Sequence, residues 1–288
     1  MQTKYPIYII SKGRHDTRFT SKALERMNVD YRIVIEPQEY DLYAAVINPI
    51  KILTLPFSNL GQGSIPARNW VWEHSISENA TSHWIVDDNI KTFQRLNNNR
   101  MMEDLTGGVF LAIESLVDRY ENVALAGPHY QAFARGRSII SPVYLNRRVY
   151  SCTLINNSLP YRWRGRYNED TDLSLRALKD GWCTMLFYAF LINKAPTMTI
   201  SGGNTDELYQ GDGRLKMAQS LVAQHPDVTT ITRKWGRYQH HVDYRPFKNN
   251  RLKLKPDAVI EHGVNNFGMV LKTVDKVTSG GGNNGTRN

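Results

Sequence analysis

Two adjacent carboxylates and an amide, Asp87-Asp88-Asn89, directly follow an apolar run at residues 83–86. A short apolar run bounded by polar residues is typical of a buried strand, so these side chains are expected where a strand leaves a sheet. Carboxylate and amide oxygens suit Mg²⁺ or Mn²⁺, which proteins commonly share with substrate phosphates. Asp and Asn also end strands and cap helices, so the motif alone leaves a structural role equally open.

A glycine-rich loop, Gly61-Gln62-Gly63, precedes a helix predicted over residues 65–79, with Arg68 in its first turn. The amino terminus of a helix attracts phosphate groups. The loop lacks the Gly-Lys-Ser/Thr ending of a P-loop and the third glycine of the dinucleotide fingerprint, which argues against an ATPase or a dehydrogenase. Arg68 either pairs with a ligand phosphate or forms a surface salt bridge.

Three acids, Glu169, Asp170 and Asp172, open a second helix predicted over residues 170–180. Acids in a first turn commonly stabilise the helix dipole. At a strand-to-helix junction, Glu169 or Asp170 is also well placed to act as a general base towards an acceptor hydroxyl. The pair His240-His241 offers a third metal ligand at His241, with a packed or exposed histidine pair as the alternative.

Positive charge is concentrated in two blocks of a chain whose net charge is +9. Residues 122–168 contain no acid, and residues 233–255 contain only Asp243. The arginines of the first block are Arg135, Arg137, Arg147, Arg148, Arg162, Arg164 and Arg166. Aromatic residues alternate with arginine over residues 161–167, as in grooves that follow phosphates and stack bases. A polyanionic partner is therefore favoured over a merely solvated basic face.

The first 127 residues alternate short apolar strands with helices. The predicted strands are 5–10, 31–35, 51–55, 83–86 and 123–126, and the predicted helices are 20–27, 38–46, 65–79 and 105–120. This alternation predicts an α/β fold with a mostly parallel sheet and helices on both faces. Ligands of such sheets lie outside the carboxyl ends of the strands. Polar clusters follow the strands at residues 11–14, 36–37, 87–89 and 127–129.

The second half of the chain is less regular. Strands are predicted over 148–155 and 184–188 and helices over 170–180 and 214–223, with a turn at Ser201-Gly202-Gly203-Asn204 where the backbone approaches a ligand closely. We expect a core at 1–205, with a donor half at 1–127 and an acceptor half at 128–205. A basic, helical extension at 206–278 should pack on this core. The Gly/Asn-rich tail at 279–288 is expected to be disordered.

The bulk composition is that of a globular protein, with 41% hydrophobic and 22% charged residues among 288. No apolar run reaches the roughly 18 residues needed to cross a bilayer. The apolar start is too short for a signal peptide. The two cysteines, Cys152 and Cys183, have no metal-type spacing. A cytoplasmic location is therefore expected.

The order of these motifs resembles the GT-A glycosyltransferases over residues 5–205. More narrowly, the Ser-Lys-Gly-Arg start at 11–14, the Val-Asp-Asp-Asn strand end at 86–89 and the segment at 168–176 are similar to the phage TET-associated glycosyltransferases. That resemblance implies transfer of a sugar from a nucleotide-sugar, UDP-glucose or similar, to 5-hydroxymethylcytosine in phage DNA. It also implies an infected bacterial cytoplasm, in which a TET-type dioxygenase makes the hydroxymethyl group.

The resemblance also implies roles for individual residues. The sugar donor would be bound by Ser11, Lys12, Gly13, Arg14, Glu36, Arg68, Asn69 and Asp87. A metal would be held at Asp88 and Asn89; because Asn89 stands where the family usually has Asp, the direct metal contact moves to Asp88. Asp170 or Glu169 would be the base of an inverting reaction. The DNA would be bound by His129, Tyr130, Arg135, Arg137, Arg162, Trp163, Arg164 and Arg166, with Trp163, Tyr167 or Tyr130 stacking on a flipped base.

Three other functions remain open from the sequence. A GT-A enzyme could act on a glycan, lipid or protein, with the basic blocks serving anionic lipid or solubility. A nucleotidyltransferase could use strand-end acids in a similar sheet, and it would release pyrophosphate instead of a nucleoside diphosphate. A non-catalytic nucleic-acid-binding module would bind DNA and ignore nucleotide-sugars.

Overall fold

The computed structural model describes residues 2–97, 100–134, 141–195, 202, 213–234, 236–258, 263–264 and 270. Several predictions fall outside these ranges. They concern Arg135, Arg137, Ser201, Gly203, Asn204 and the tail at 279–288. Within the described ranges, no helix is both long and apolar enough to cross a membrane.

A ten-stranded mixed sheet forms the centre of the molecule. Its strands are β1 (Ile7–Ile10), β2 (Arg32–Ile35), β3 (Ile52–Thr54), β4 (Ser82–Asp87), β5 (Ile90–Asn97), β6 (Arg100–Glu103), β7 (Val123–Tyr130), β8 (Val143–Leu145), β9 (Cys152–Asn156) and β10 (Cys183–Lys194). The order is β3-β2-β1-β4-β9-β7-β10-β5-β6, with β8 beside β10. Strands β1 to β4, β7 and β10 run in one direction, and β9 lies antiparallel between β4 and β7.

Helices cover both faces of this sheet. They are α1 (Phe19–Arg26), α2 (Tyr40–Ala44), α3 (Ile65–Ser77), α4 (Gly108–Val117), α5 (Glu169–Lys179) and α6 (Gly213–Gln224). Successive side chains of a strand point to opposite faces. Along β1, Ile7 and Ile9 accordingly pack with α1, α2 and α4, whereas Tyr8 packs with α3 and α5. The predicted α/β fold class is confirmed.

The strand predictions differ from the structure mainly in the second half. Strand β9 begins only at Cys152, because Ser151 adopts a left-handed conformation with φ of 65° that no regular strand tolerates. Strand β10 continues to Lys194 instead of stopping at residue 188. The hairpin β5–β6 and strand β8 were not predicted, and β6 has four exposed residues and so no apolar alternation to reveal it.

Residues 213–258 pack on α5. A second, two-stranded sheet, β11 (Thr229–Lys234) with β12 (Arg237–Val242), follows α6. Leu175 and Leu178 of α5 share a small core with Val228 and Phe247. Asp172 completes the junction: its side chain is only 1% exposed, and one carboxylate oxygen lies 2.9 Å from Nε2 of His225.

Candidate active site

The turn after β4 is fixed by the start of α1. The Thr20 hydroxyl donates to the carbonyl oxygen of Asp87 at 2.6 Å and accepts from the backbone N–H of Ile90 at 2.9 Å. A single side chain thus bridges both ends of the Asp87-Asp88-Asn89 turn. The carboxylates leave the sheet where β4 ends, as the sequence predicted.

Asp87 lies between two cations. Nη2 of Arg68 and Nζ of Lys194 are each 3.2 Å from one of its carboxylate oxygens, and Lys194 also donates to the Ser151 hydroxyl at 2.7 Å. Burial acts to raise the pKa of Asp87, but Lys194 and Arg68 outweigh it and lower that pKa. Asp87 is therefore an ionised carboxylate, and its side chain is 25% exposed.

Asp88 is held more deeply, with only 7% of its side chain exposed. It forms an ion pair with Arg14, and its second oxygen accepts from Ser11 at 2.9 Å. The Ser11 hydroxyl also bonds to that of Tyr43 at 2.6 Å. Burial raises the pKa of Asp88 in spite of the Arg14 charge. Direct metal contact at Asp88 stays a prediction, one that requires Arg14 to leave.

Arg68 connects the β4 end to the start of α5. Besides Asp87, its Nη2 lies 3.7 Å from an oxygen of Glu169, and its guanidinium rests on the Trp163 ring with 4.8 Å to the centroid. Burial, with neighbouring acids, raises the pKa of Glu169 against the Arg68 charge. We call Arg14, Arg68, Asp87, Asp88, Glu169 and Lys194 the strand-end cluster.

A small cleft of about 130 Å³ adjoins this cluster. Nζ of Lys12 lies 3.0 Å from Glu36 and 3.2 Å from the Asn59 side-chain oxygen within it. The glycines of the 61–63 loop line the same cleft. It therefore joins three segments that the sequence analysis assigned to the nucleotide.

The backbone at Gly202 lies close to the backbone at Gly13. A Cβ added to Gly202 would lie 2.5 Å from the Gly13 carbonyl oxygen, and Gly202 has a φ of +79°. Nη2 of Arg14 donates to the Gly202 carbonyl at 2.9 Å. The predicted close approach is thus a contact with the loop at residues 11–14, and it admits only glycine at 202.

Asp170, the next residue of α5, has different partners from Glu169. Its carboxylate accepts from the Thr171 N–H at 2.7 Å, and the Thr171 hydroxyl accepts from Arg148 at 3.4 Å. Burial acts to lower the pKa of Arg148, but Asp170, with nearby tyrosines, raises it. The charge of Asp170 also acts on Tyr244 and His240.

Those residues belong to a cavity of about 470 Å³, which we call the aromatic cavity. Its walls are largely rings and arginines: His129, Phe133, Tyr144, Arg147, Arg148, Tyr150, Tyr188, His240, His241 and Tyr244, with Leu186 and Val242. Glu169 thus belongs to the strand-end cluster, and the charge of the neighbouring Asp170 acts on residues that line the aromatic cavity.

Three of the predicted site residues lie in surroundings that do not favour the assigned role. Trp163 is 3% exposed and packs in the core beneath Arg68, so its ring is not open to a base. Asn69 holds the Trp163 backbone through bonds of 2.9 and 2.8 Å, which commits its amide to the fold. His241 lines the aromatic cavity; nowhere in the described ranges are three His, Cys, Asp or Glu side chains grouped to hold a metal.

The arginines predicted to bind DNA are partly engaged by protein groups. Arg162 pairs with Glu73 at 2.5 Å, and Arg164 pairs with Asp172 at 3.0 Å. Arg166 is exposed, whereas Tyr130 is partly buried against the core. Of the proposed acceptor residues described, His129 alone lines the aromatic cavity, and DNA binding by the others stays a prediction.

The sequence analysis missed Lys194 and most of the aromatic cavity. Lys194 ends an apolar strand, so the strand-end rule that found Asp87 would have found it had β10 been predicted at its full length. Tyr188 and Tyr244 are isolated aromatic positions, and the pair His240-His241 was considered only as a source of a metal ligand. Their sequence context carries no local signal for a shared site.

An α/β sheet with paired acids and cations at its strand ends is typical of enzymes that bind a phosphorylated ligand. A family model for TET-associated glycosyltransferases matches residues 5–203, and the chain belongs to that family. The protein is accordingly a glycosyltransferase, and the suspected resemblance is confirmed. The family implies a nucleotide-sugar donor and a DNA substrate with modified bases. No curated protein matches the chain.

Proposed function

We propose that this enzyme transfers a sugar from a UDP-sugar, UDP-glucose or similar, to the hydroxyl of 5-hydroxymethylcytosine in phage DNA. The contact that supports this most directly is that of Arg68, which lies 3.2 Å from Asp87 and 3.7 Å from Glu169. It brings the acids of β4 and α5 together, and the neighbouring Ala67 lines the small cleft at Lys12 and Glu36.

In the proposed reaction the nucleoside is bound near Lys12 and Glu36, and the diphosphate meets Arg68 and Lys194. Both cations already face a carboxylate, so an entering diphosphate exchanges one anionic partner for another. Asp170 accepts the proton of the hydroxymethyl group as its oxygen attacks the anomeric carbon. The bond from that carbon to the phosphate oxygen breaks, the nucleoside diphosphate leaves, and the anomeric configuration inverts.

A divalent cation fits the turn at Asp87-Asp88-Asn89 in part. Asp87 is 25% exposed, and the buried side-chain oxygen of Asn89 has no hydrogen-bond partner among the described residues. Asp87 and Asn89 would hold Mg²⁺ or Mn²⁺, which needs few protein ligands when phosphates supply others. When bound, the ion would neutralise charge on the leaving nucleoside diphosphate.

The test is incubation with hydroxymethylcytosine DNA, Mg²⁺ or Mn²⁺ and a panel of UDP-sugars, followed by digestion to nucleosides and mass spectrometry. We expect one sugar added per modified cytosine, with none on unmodified DNA and none after EDTA treatment. Asp87→Asn should lose transfer, whereas Asp41→Asn on exposed α2 should not. No sugar on any base with any donor would refute the function, and full activity in EDTA would refute the metal.

A further inference from the structure

Two parts of the chain form the aromatic cavity, one inside the family match and one after it. His129 of β7, Tyr144 of β8 and Tyr188 of β10 lie within the family match at 5–203, whereas His240 and Tyr244 lie beyond it. At about 470 Å³ the cavity has the size of a small-molecule site. The hairpin β11–β12 therefore closes a site that the family segment leaves open.

The walls of the cavity present ring faces and delocalised cations. The Tyr188 ring centroid lies 4.1 Å from that of His129 and 4.7 Å from that of Tyr144. The Arg148 guanidinium lies 4.5 Å from the Tyr150 ring centroid. Base–aromatic stacking and arginine contacts of this kind are how proteins bind unstacked nucleotides.

One wall carries a polar group without a partner. His129 is only 6% exposed, and neither of its ring nitrogens has a hydrogen-bond partner in the described parts of the chain. Burial, with the nearby Arg148 charge, lowers the pKa of His129 to about 4, so the ring is neutral near pH 7. A neutral imidazole has one donor and one acceptor, and the edge of a cytosine base offers partners for both.

The reacting acid is linked to one wall of the cavity: Arg148 donates to the Thr171 hydroxyl at 3.4 Å, and the Thr171 N–H donates to the Asp170 carboxylate at 2.7 Å. The charge of Asp170 acts on Arg148, Tyr244 and His240, three residues that line the cavity. A hydroxymethyl group on a base held there would lie towards Asp170. A base inside a duplex must leave the stack to reach such a site, at a cost of a few kcal/mol that stacking in the pocket offsets.

We propose that the aromatic cavity receives the flipped-out hydroxymethylated pyrimidine nucleotide of DNA, and that the hairpin β11–β12 completes this pocket through His240. The proposal rests on the proposed function for the identity of the acceptor. It assigns base recognition to rings of the cavity in place of Trp163.

The experiment compares Tyr188→Ala and His240→Ala with a matched control, Tyr238→Ala. Tyr238 is on the same strand as His240, is 47% exposed and does not line the cavity. Loss of a stacking partner should raise the KM for hydroxymethylcytosine DNA about 5- to 150-fold in the first two variants, with the KM for the UDP-sugar unchanged. Melting temperatures check folding, and His240→Ala decides the result if Tyr188→Ala is unstable.

A second measurement needs no turnover. A 2-aminopurine placed beside the modified base should brighten when the wild-type protein flips that base, and this signal should be lost in His240→Ala but not in Tyr238→Ala. If transfer occurs while both cavity variants keep the wild-type KM for DNA, the pocket is wrong and the proposed function stands. If no transfer occurs but the fluorescence depends on His240, the function is wrong and the pocket stands. Absence of brightening with the wild type overturns the pocket.

Discussion

The strand-end cluster and the aromatic cavity differ in how their polar groups are paired. In the first, Asp87 pairs with Arg68 and Lys194, and Asp88 pairs with Arg14. In the second, the buried His129 is neutral and has no hydrogen-bond partner in the described ranges. The difference indicates two kinds of ligand group: a multiply charged one that exchanges ion pairs, and an uncharged base that supplies the hydrogen bonds His129 lacks.

Glu169 is assigned to the strand-end cluster and Asp170 to the aromatic cavity. Replacing each acid by its amide, one at a time, tests this assignment. Asp170→Asn should lower kcat about 10²- to 10⁴-fold, the usual contribution of a general base, without weakening UDP-sugar binding. The Asn side chain still accepts from Thr171, so the helix start is retained. Glu169→Gln should act mainly on the KM for the UDP-sugar, through Arg68. Steady-state kinetics that give Glu169→Gln the larger loss in kcat would reverse the assignment.

Asp172 helps to attach the later part of the chain, which supplies His240 and Tyr244 to the aromatic cavity. Asp172→Asn removes the charge that faces His225, Arg164 and Arg176, and breaking a buried pair costs about 3–5 kcal/mol. Burial acts to raise the pKa of Asp172, but His225 and both arginines lower it. Its contribution to stability is therefore present above its unfolded pKa and is lost as the pH falls through its folded value.

Urea unfolding at neutral and acidic pH measures this loss. Asp180→Asn, at the exposed end of the same helix, should change the free energy of unfolding little. Equal destabilisation by the two variants would show that the buried network adds nothing to the junction between α5 and residues 213–258.

Lys194 should affect the strand-end cluster alone. Lys194→Met removes charged contacts to Asp87 and to an incoming diphosphate, each worth about 1.5–3 kcal/mol, so the KM for the UDP-sugar should rise about 10- to 150-fold. The KM for DNA should not change. Lys91→Met, an exposed lysine on β5, is the control. An effect of similar size on the KM for DNA would show that the two sites do not act separately.

The pH dependence of stability offers the gentlest test of the cavity. The pKa of His129 falls from 6.5 to about 4 on folding, so between these values only the unfolded chain gains the proton. Stability must decline as the pH falls through this window, by up to about 1.4 kcal/mol per pH unit. His83, also with a pKa lowered to about 4 by burial, adds a similar slope. His129→Gln should remove only its own share in urea titrations; an unchanged slope would place a charged or exposed ring at 129.

Most of the strand-end cluster could be predicted from the sequence, because its parts other than Lys194 lie in contiguous motifs at strand ends and helix starts. Asp87, Arg68 and Glu169 all lie in short segments whose polar residues interrupt an apolar or helical pattern. The aromatic cavity could not be predicted, since Tyr188 and His240 lie in separate elements that only the folded chain brings together. Trp163 misled for the same reason, because its basic neighbours give no sign that the ring packs under Arg68.

The helices and the parallel strands β1 to β4 of the first half were predicted to within about three residues at each end, because polar or glycine-rich segments separate their apolar and periodic patterns. The errors fall where the backbone departs from regularity. The positive φ of Ser151 delays β9, and the exposed edge strand β6 has no buried face to pattern its sequence. Such features depend on neighbours in space, which spacing along the chain does not report.

The buried pair Asp172–His225 links the segment that the family model matches to residues that follow it. The family match ends at residue 203, but His225, Val228 and Phe247 lie after it and cover side chains of α5. A protein shortened to residue 203 would expose the apolar face at Leu175 and Leu178 to water and leave the Asp172 carboxylate without its histidine. Exchanging only the matched segment for that of a relative would separate α5 from the residues that cover it, so the part after residue 203 should be exchanged together with it.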